Sequence, residues 1–347
     1  MPPSETRETR ARDDAPSRAS RSRVASARAH ALVFVWLGAF HALGALGVAL
    51  ALAATRRTLV AVACIVVTLS VAPRSRAPAW GRALAREITK AAVGYFPASL
   101  AFEDESAYLA DARRGRGTLV GLEPHGALPL SVISFADYFL YDEDGIERRG
   151  LGGAASRASR ALASGAIFYV PLVRHLWTWL GLEPISRGRM VRMLRDGSTC
   201  VIVPGGVAEC MAMEPGVETV YLRRRYGFVK IAMQTGATLV PAYTFGQTRT
   251  YKYWRLGPPF VPRFVADWLS RTLAFAPMIF WGKWFTPIPF ATPLHTVIGE
   301  AIETQQTDEP SREEVQAKLD EFIEAMRSLY ERHKAAHGYA DVELVIC

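Results

Sequence analysis

A chain of 347 residues, half of them hydrophobic, carries enough apolar side chain for a sizeable core and for lipid contact, and its length fits either two domains or one α/β core with insertions. The formal net charge is +8, with the excess almost entirely arginine, which points toward acidic partners: nucleic acid, anionic lipid or a phosphate-rich small molecule. The four cysteines, Cys64, Cys200, Cys210 and Cys347, form no CxxC pair, no disulfide framework and no zinc-spaced cluster with histidine, so a stapled secreted module is excluded and a reduced compartment is the simpler reading.

Residues 1–30 hold seven arginines among serines, alanines and acids, with almost no apolar side chains, and are expected to be a disordered basic tail. An apolar run follows over 31–54. As a helix it would reach roughly 36 Å, enough to cross a bilayer core of about 30 Å. Thr55-Arg56-Arg57-Thr58 breaks it, and a second run over 59–72 reaches only about 21 Å before Pro73. Residues 31–72 are therefore expected to form a transmembrane or re-entrant helical hairpin. Arginines on both flanks, Arg74, Arg76, Arg82 and Arg86 on the second, put both termini in the cytosol by the positive-inside rule. The run is longer than a signal-peptide core, and Glu5, Glu8, Asp13 and Asp14 disfavour a transit peptide.

Residues 80–347 read as a cytosol-facing domain. Short apolar runs predict strands over 118–122, 199–203, 238–243 and 295–298, with helices over 127–141 and 228–234. Strands alternating with helices predict an α/β fold with a largely parallel sheet. In such sheets the chemistry sits where strands end in loops. Three of these ends carry Glu123-Pro124-His125-Gly126, Pro204-Gly205-Gly206 through Glu209, and Phe245-Gly246-Gln247.

His125 is the candidate general base, because a strand-end turn has no packing need for an imidazole. Glu123, two residues earlier on extended backbone, shares its face and either orients the ring or merely caps the turn. Glu209 is the second carboxylate candidate. The Gly205-Gly206 turn can present backbone N–H groups to an oxyanion, although a Gly-Gly pair alone is more often an ordinary tight turn. Arg187, Arg224, Arg225 and Lys230 are candidate phosphate ligands, each set against the plainer reading of a solvated basic face. His333 and His337, four apart on a charged helix, read as surface residues rather than metal ligands. There is no serine-hydrolase elbow, Walker loop or dinucleotide fingerprint. The apolar stretches 31–72 and 268–284 are expected to bring the site to a membrane.

In order along the chain, Tyr95-Phe96-Pro97, Glu123-Pro124-His125-Gly126, Pro184-Ile185-Ser186-Arg187, Val203-Pro204-Gly205-Gly206-Val207-Ala208-Glu209, Arg225-Tyr226-Gly227-Phe228-Val229-Lys230 and Leu239-Val240-Pro241 through Gln247 resemble the type-2 diacylglycerol acyltransferase family in its plant and algal branch. Phe280-Trp281-Gly282 and the ending through Glu331-Arg332-His333-Lys334 and Gly338-Tyr339 fit the same set. The resemblance implies a core like that of the glycerolipid acyltransferases. It also implies transfer of an acyl group from acyl-CoA to diacylglycerol at the endoplasmic reticulum membrane or the lipid-droplet surface. Acyl-CoA would be a co-substrate, with no metal, prosthetic group or nucleic acid involved. Monoacylglycerol, fatty alcohol or sterol are alternative acceptors, and an inactive membrane scaffold is the alternative of another class. The glycerolipid acyltransferase signature has an aspartate where this chain has Leu130, so Glu123 or Glu209 is left for the role of orienting His125, or no residue at all. The first motif is a hybrid, with the plant-type glutamate first and the animal-type glycine last.

Overall fold

The computed structural model describes residues 15–71, 77–135, 160–171, 173–273 and 276–347. Strands among these residues are β1 (Ser99–Phe102), β2 (Thr118–Glu123), β3 (Arg160–Ala163), β4 (Leu182–Pro184), β5 (Thr199–Ile202), β6 (Glu218–Val220), β7 (Thr238–Phe245), β8 (Lys252–Arg255), β9 (Met278–Trp281), β10 (His295–Ile298) and β11 (Leu344–Ile346). The helices are α1 (Ala15–Ala53), α2 (Arg56–Val71), α3 (Ala79–Tyr95), α4 (Glu105–Arg113), α5 (Val173–Trp179), α6 (Arg187–Arg195), α7 (Gly206–Ala212), α8 (Tyr226–Thr235), α9 (Arg263–Leu273) and α10 (Arg312–His333).

Seven strands form the main sheet in the order β1-β10-β7-β2-β5-β3-β4. Neighbours are parallel except β10 against β7, so the α/β fold with a largely parallel sheet is as expected. Every residue of β2, β5 and β7 is buried, which explains their near-continuous apolar sequence: helices cover both faces. Alternate residues divide between the two faces. Leu119, Cys200, Leu239 and Phe245 pack with Phe228, Leu319 and Phe322 from α8 and α10. Val120, Leu122, Val201 and Val240 pack with Ile88, Ala92 and Trp177 from α3 and α5. At the start of α10, Ser311 Oγ accepts from the Glu314 N–H while the Glu314 carboxylate accepts from the Ser311 N–H, closing a capping box.

Three expectations are corrected. The basic tail does not stay unstructured to residue 30: α1 starts at Ala15, and the segment before it lies outside the described residues. Alanine and arginine favour helix, and Arg28 pairs with Glu87 of α3 at 2.6 Å. The membrane hairpin is not supported either. Two helices do form there, but among the described residues no helix is long and apolar enough to cross a membrane. Part of the first run is used inside the protein, where Val33, Trp36 and Leu37 are buried against the core, and the 16 residues of α2 reach only roughly 24 Å. The helix expected over 127–141 is instead a turn followed by a 3₁₀ segment, Leu130–Phe135, and 136–141 lie outside the described residues. Pro129 and side-chain bonds from Gln247 hold that turn out of helical geometry, as described below.

Candidate active site

The three motif-bearing strand ends come together because β7, β2 and β5 are neighbours and run parallel. β2 delivers Glu123 and His125, β5 delivers Gly205 and the start of α7, and β7 delivers Gln247. Glu123 and Glu209 are both fully buried and lie against each other. Glu209 Oε1 accepts the His125 backbone N–H, and Oε2 accepts the Tyr221 N–H at 3.1 Å. Glu123 Oε1 accepts the Gly205 N–H at 2.8 Å. Apart from the bond between the two carboxyl groups, these hydrogen bonds go to backbone N–H groups rather than to the imidazole. Their work is to fasten β2, β5 and the turn after β6 to one another.

Two buried carboxyl groups side by side cannot both ionise. Burial, followed by the charge and hydrogen bond of Glu209, pushes the Glu123 carboxyl well above the usual carboxylate range. Burial also raises Glu209, but its bonds with Glu123, His125 and Tyr221 oppose the rise. The shared proton therefore rests on Glu123, and the charge on Glu209. The second oxygen of Glu123, which has no other partner, carries the proton toward Glu209. Glutamine at 123 copies that protonated form, accepting from Gly205 and donating to Glu209. Glu123→Gln is expected to retain activity within about threefold of wild type and to flatten the alkaline fall in thermal stability. The sign follows from linkage. A carboxyl whose folded pKa is raised contributes stability at low pH and loses it as pH rises through the raised value. An unchanged stability–pH curve in Glu123→Gln would contradict the assignment.

His125 is half-buried. Its Nδ1 lies 2.9 Å from the Gly126 carbonyl oxygen, which can only accept, so Nδ1 carries the proton and Nε2 holds the basic lone pair. Burial lowers its pKa, opposed by the Gly126 bond and by the Glu209 charge, and the ring is neutral at physiological pH. Cys210 Sγ sits 3.2 Å from Nδ1 and also points at the Gly126 carbonyl. Burial and the charge of Glu209 push that thiol far up, so it is a poor nucleophile despite its place beside a histidine.

Two residues gain importance over the sequence reading. Gln247 is fully buried, donates from Nε2 to the carbonyls of His125 (3.0 Å) and Leu128 (2.6 Å), and accepts the Ser131 N–H at 2.9 Å. It staples the loop after His125 into place. Its signal was a polar side chain two residues past the end of a mostly apolar strand. Glu218, missed altogether, is buried and held by Tyr243 Oη at 2.8 Å and Thr248 Oγ1 at 2.6 Å. Nothing local marks it, since its partners lie 25 and 30 residues away.

The turn and the basic residues divide. The Gly205 N–H is taken by Glu123, which removes it from the expected oxyanion pair. Arg225 donates to the Gly205 carbonyl and lies 5.1 Å over the Tyr221 ring, which makes it a brace for the turn. Arg187 opens α6 and donates to Gln234 of α8 at 2.7 Å. Arg224 and Lys230 are exposed just before and on α8. His333 and His337 are less free than a surface reading implies: His333 pairs with Glu103 at 2.8 Å, and His337 stacks on Phe245 and His295.

A half-buried imidazole thus stands at the joint ends of parallel strands, on a loop tied to the rest of the sheet by two buried carboxyl groups. The family model described as diacylglycerol acyltransferase matches residues 50–347, and the chain belongs to that family. Acyl-CoA wax alcohol acyltransferase 2 of Mus musculus is 32% identical over 68% of this chain and 72% of its own length. Diacylglycerol O-acyltransferase 2-like protein 6 of Mus musculus is 35% identical over 50% of this chain and 55% of its own. Diacylglycerol O-acyltransferase 2 of Homo sapiens is 30% identical over 66% of this chain and 60% of its own, so the chain spans from about half to nearly three quarters of these relatives. The solved 1-acyl-sn-glycerophosphate acyltransferase PlsC of Thermotoga maritima aligns over 91% of this chain and 97% of its own at 14% identity and a TM-score of 0.40, too loose a likeness to argue from.

Proposed function

We propose that this protein is a diacylglycerol O-acyltransferase that moves a fatty acyl group from acyl-CoA to 1,2-diacylglycerol, with glycerolipid-acyltransferase chemistry at His125. The observation that carries this is the His125 ring itself: neutral, its Nδ1 held by Gly126, its Nε2 left basic. Nε2 takes the proton of the acceptor hydroxyl as the oxygen attacks the thioester carbonyl carbon. The carbonyl π electrons move onto oxygen, for which the Gly206 N–H is the proposed donor. When the tetrahedral species collapses, the C–S bond breaks and the CoA sulfur takes the proton back from the imidazolium. The products are triacylglycerol and free CoA, and no covalent acyl-enzyme forms. The family match supports the substrate pair. The wax-alcohol relative supports a second reading, the same chemistry on a fatty alcohol. The glutamate at 123 and the glutamine at 247 support placement on the plant and algal branch. A lipid-dissolved acceptor supports a place at the endoplasmic reticulum membrane or the lipid-droplet surface.

The pH profile tests the base. Because burial depresses the His125 pKa, the acid limb of kcat/KM should fall below the ordinary histidine range, and the enzyme should stay active as pH drops to that point. An acid limb at or above the ordinary value would contradict a neutral, buried base. Phosphate recognition has a separate test. With Arg225 engaged at the turn, the exposed Arg224 and Lys230 are the groups for CoA. Reversing both to glutamate should raise KM for acyl-CoA by about tenfold and leave KM for diacylglycerol unchanged. Equal changes in both would assign these residues to a surface role.

A further inference from the structure

α9 is built inside out. Its small residues Ala266 and Ser270 face the protein and are buried, while Phe264 and Trp268, on the opposite side, are 72% and 63% exposed. A helix packed for water places its aromatics inward. The inversion extends beyond the helix. Phe260, one turn before Phe264, is exposed and stands 6.2 Å from the Trp254 ring. Trp254 pairs across β8 and β9 with Ile279, which points out while Phe280 points in. The loop after β9 adds Trp284 and Phe285, the latter 85% exposed and stacked on Trp281. Contacts carry the surface on to α1: Phe280 meets His41, and Trp284 meets His30. Beyond lie the outward Phe34, Val35, Leu46, Val48 and Leu52 of α1, and α2 buries none of its residues.

We infer that this aromatic belt, Trp254, Phe260, Phe264, Trp268, Ile279, Trp284 and Phe285, is a membrane-interface surface immersed in the head-group region of a phospholipid bilayer. Three features favour lipid over a protein partner. The belt is dominated by tryptophan and phenylalanine, the side chains that settle at the boundary between head groups and acyl chains. Lys252 stands at its edge, exposed beside Trp281 on the paired strand, where anionic head groups would meet it. The belt is also continuous with helices that are apolar on more sides than one, which a lipid phase covers and a single globular partner does not. The surface requires no helix to cross; it rests on the membrane placement proposed above and says which face meets the lipid, and it can be read without turnover.

The test is photolabelling of the purified full-length protein bound to phosphatidylcholine vesicles, with and without phosphatidylserine, using a phospholipid that carries a diazirine on its acyl chain. Adducts are mapped by mass spectrometry. Adducts in the segments 260–268 and 279–285, as heavy as those in α1 and α2, are expected, with heavier labelling when phosphatidylserine is present. Adducts confined to α1 and α2 would overturn the assignment. As a second reading, the double variant Phe264→Asp with Trp268→Asp should keep the melting temperature of wild type and lose about tenfold or more in vesicle partitioning. A folded double variant that partitions like wild type would also overturn it.

Discussion

His125→Ala is expected to lower acyl transfer by about 10²–10⁴, the usual worth of a positioned general base. The loss should fall on kcat, with acyl-CoA binding and melting temperature close to wild type, because Glu209 and Gln247 hold this turn through the backbone of residue 125, and the ring bonds only its neighbour Gly126 and Cys210. Cys210→Ala is the companion variant. Its thiol is 3.2 Å from the same ring but is pushed far up by burial and by Glu209, so it should retain activity within about threefold. Triacylglycerol formed per unit of protein at matched expression checks both. A His125→Ala protein with a large fraction of wild-type turnover, or a Cys210→Ala protein without activity, would replace the base mechanism with an acyl-cysteine one.

Gly205→Ala is expected to be nearly as damaging, and for a reason that separates it from its neighbour. Gly205 has ordinary right-handed helical dihedrals, so conformation does not demand glycine. Space does: an added Cβ would come 2.0 Å from Oε2 of Glu209 and 2.8 Å from its carboxyl carbon, both fully buried. The carboxylate would have to leave its bonds with His125 and Tyr221, at a cost of about 3–5 kcal/mol for a displaced buried charge. Gly206 is the reverse case. It sits at φ +54 with open space about it, so Gly206→Ala costs only left-handed strain, about 1–2 kcal/mol. Thermal melts of the two variants, with activity alongside, measure the contrast. Equal and small losses would mean that Glu209 is not the fixed anchor described here.

How much of this was legible beforehand follows from what is local. β2, β5, β7 and β10 announce themselves as buried apolar runs, and the motifs at three of their ends are contiguous in sequence. The edge strands β1 and β4, and β3 beside β4, are three or four residues long and only partly buried, so no periodicity marks them. The place of His125 just past the end of β2 was legible because the apolar run of that strand stops at Glu123. The partnerships of Glu123 and Glu209 were not, because each carboxyl spans more than eighty residues to reach its backbone donor in the facing loop. The helix expected over 127–141 failed on a bond from Gln247, more than a hundred residues away, which no local pattern encodes. The membrane hairpin is not supported because an apolar run reads the same whether it faces lipid or packs on the protein's own core, and Val33, Trp36 and Leu37 do the latter.

The most direct measurement of the central claim is transfer of labelled acyl-CoA by the purified protein in lipid vesicles, offered diacylglycerol, monoacylglycerol and a long-chain alcohol in parallel, with the protein itself counted for bound label. Label in triacylglycerol, the greatest rate with diacylglycerol and none retained on protein is the predicted result. Label held on the protein, or a greatest rate in wax ester with little triacylglycerol, would contradict it.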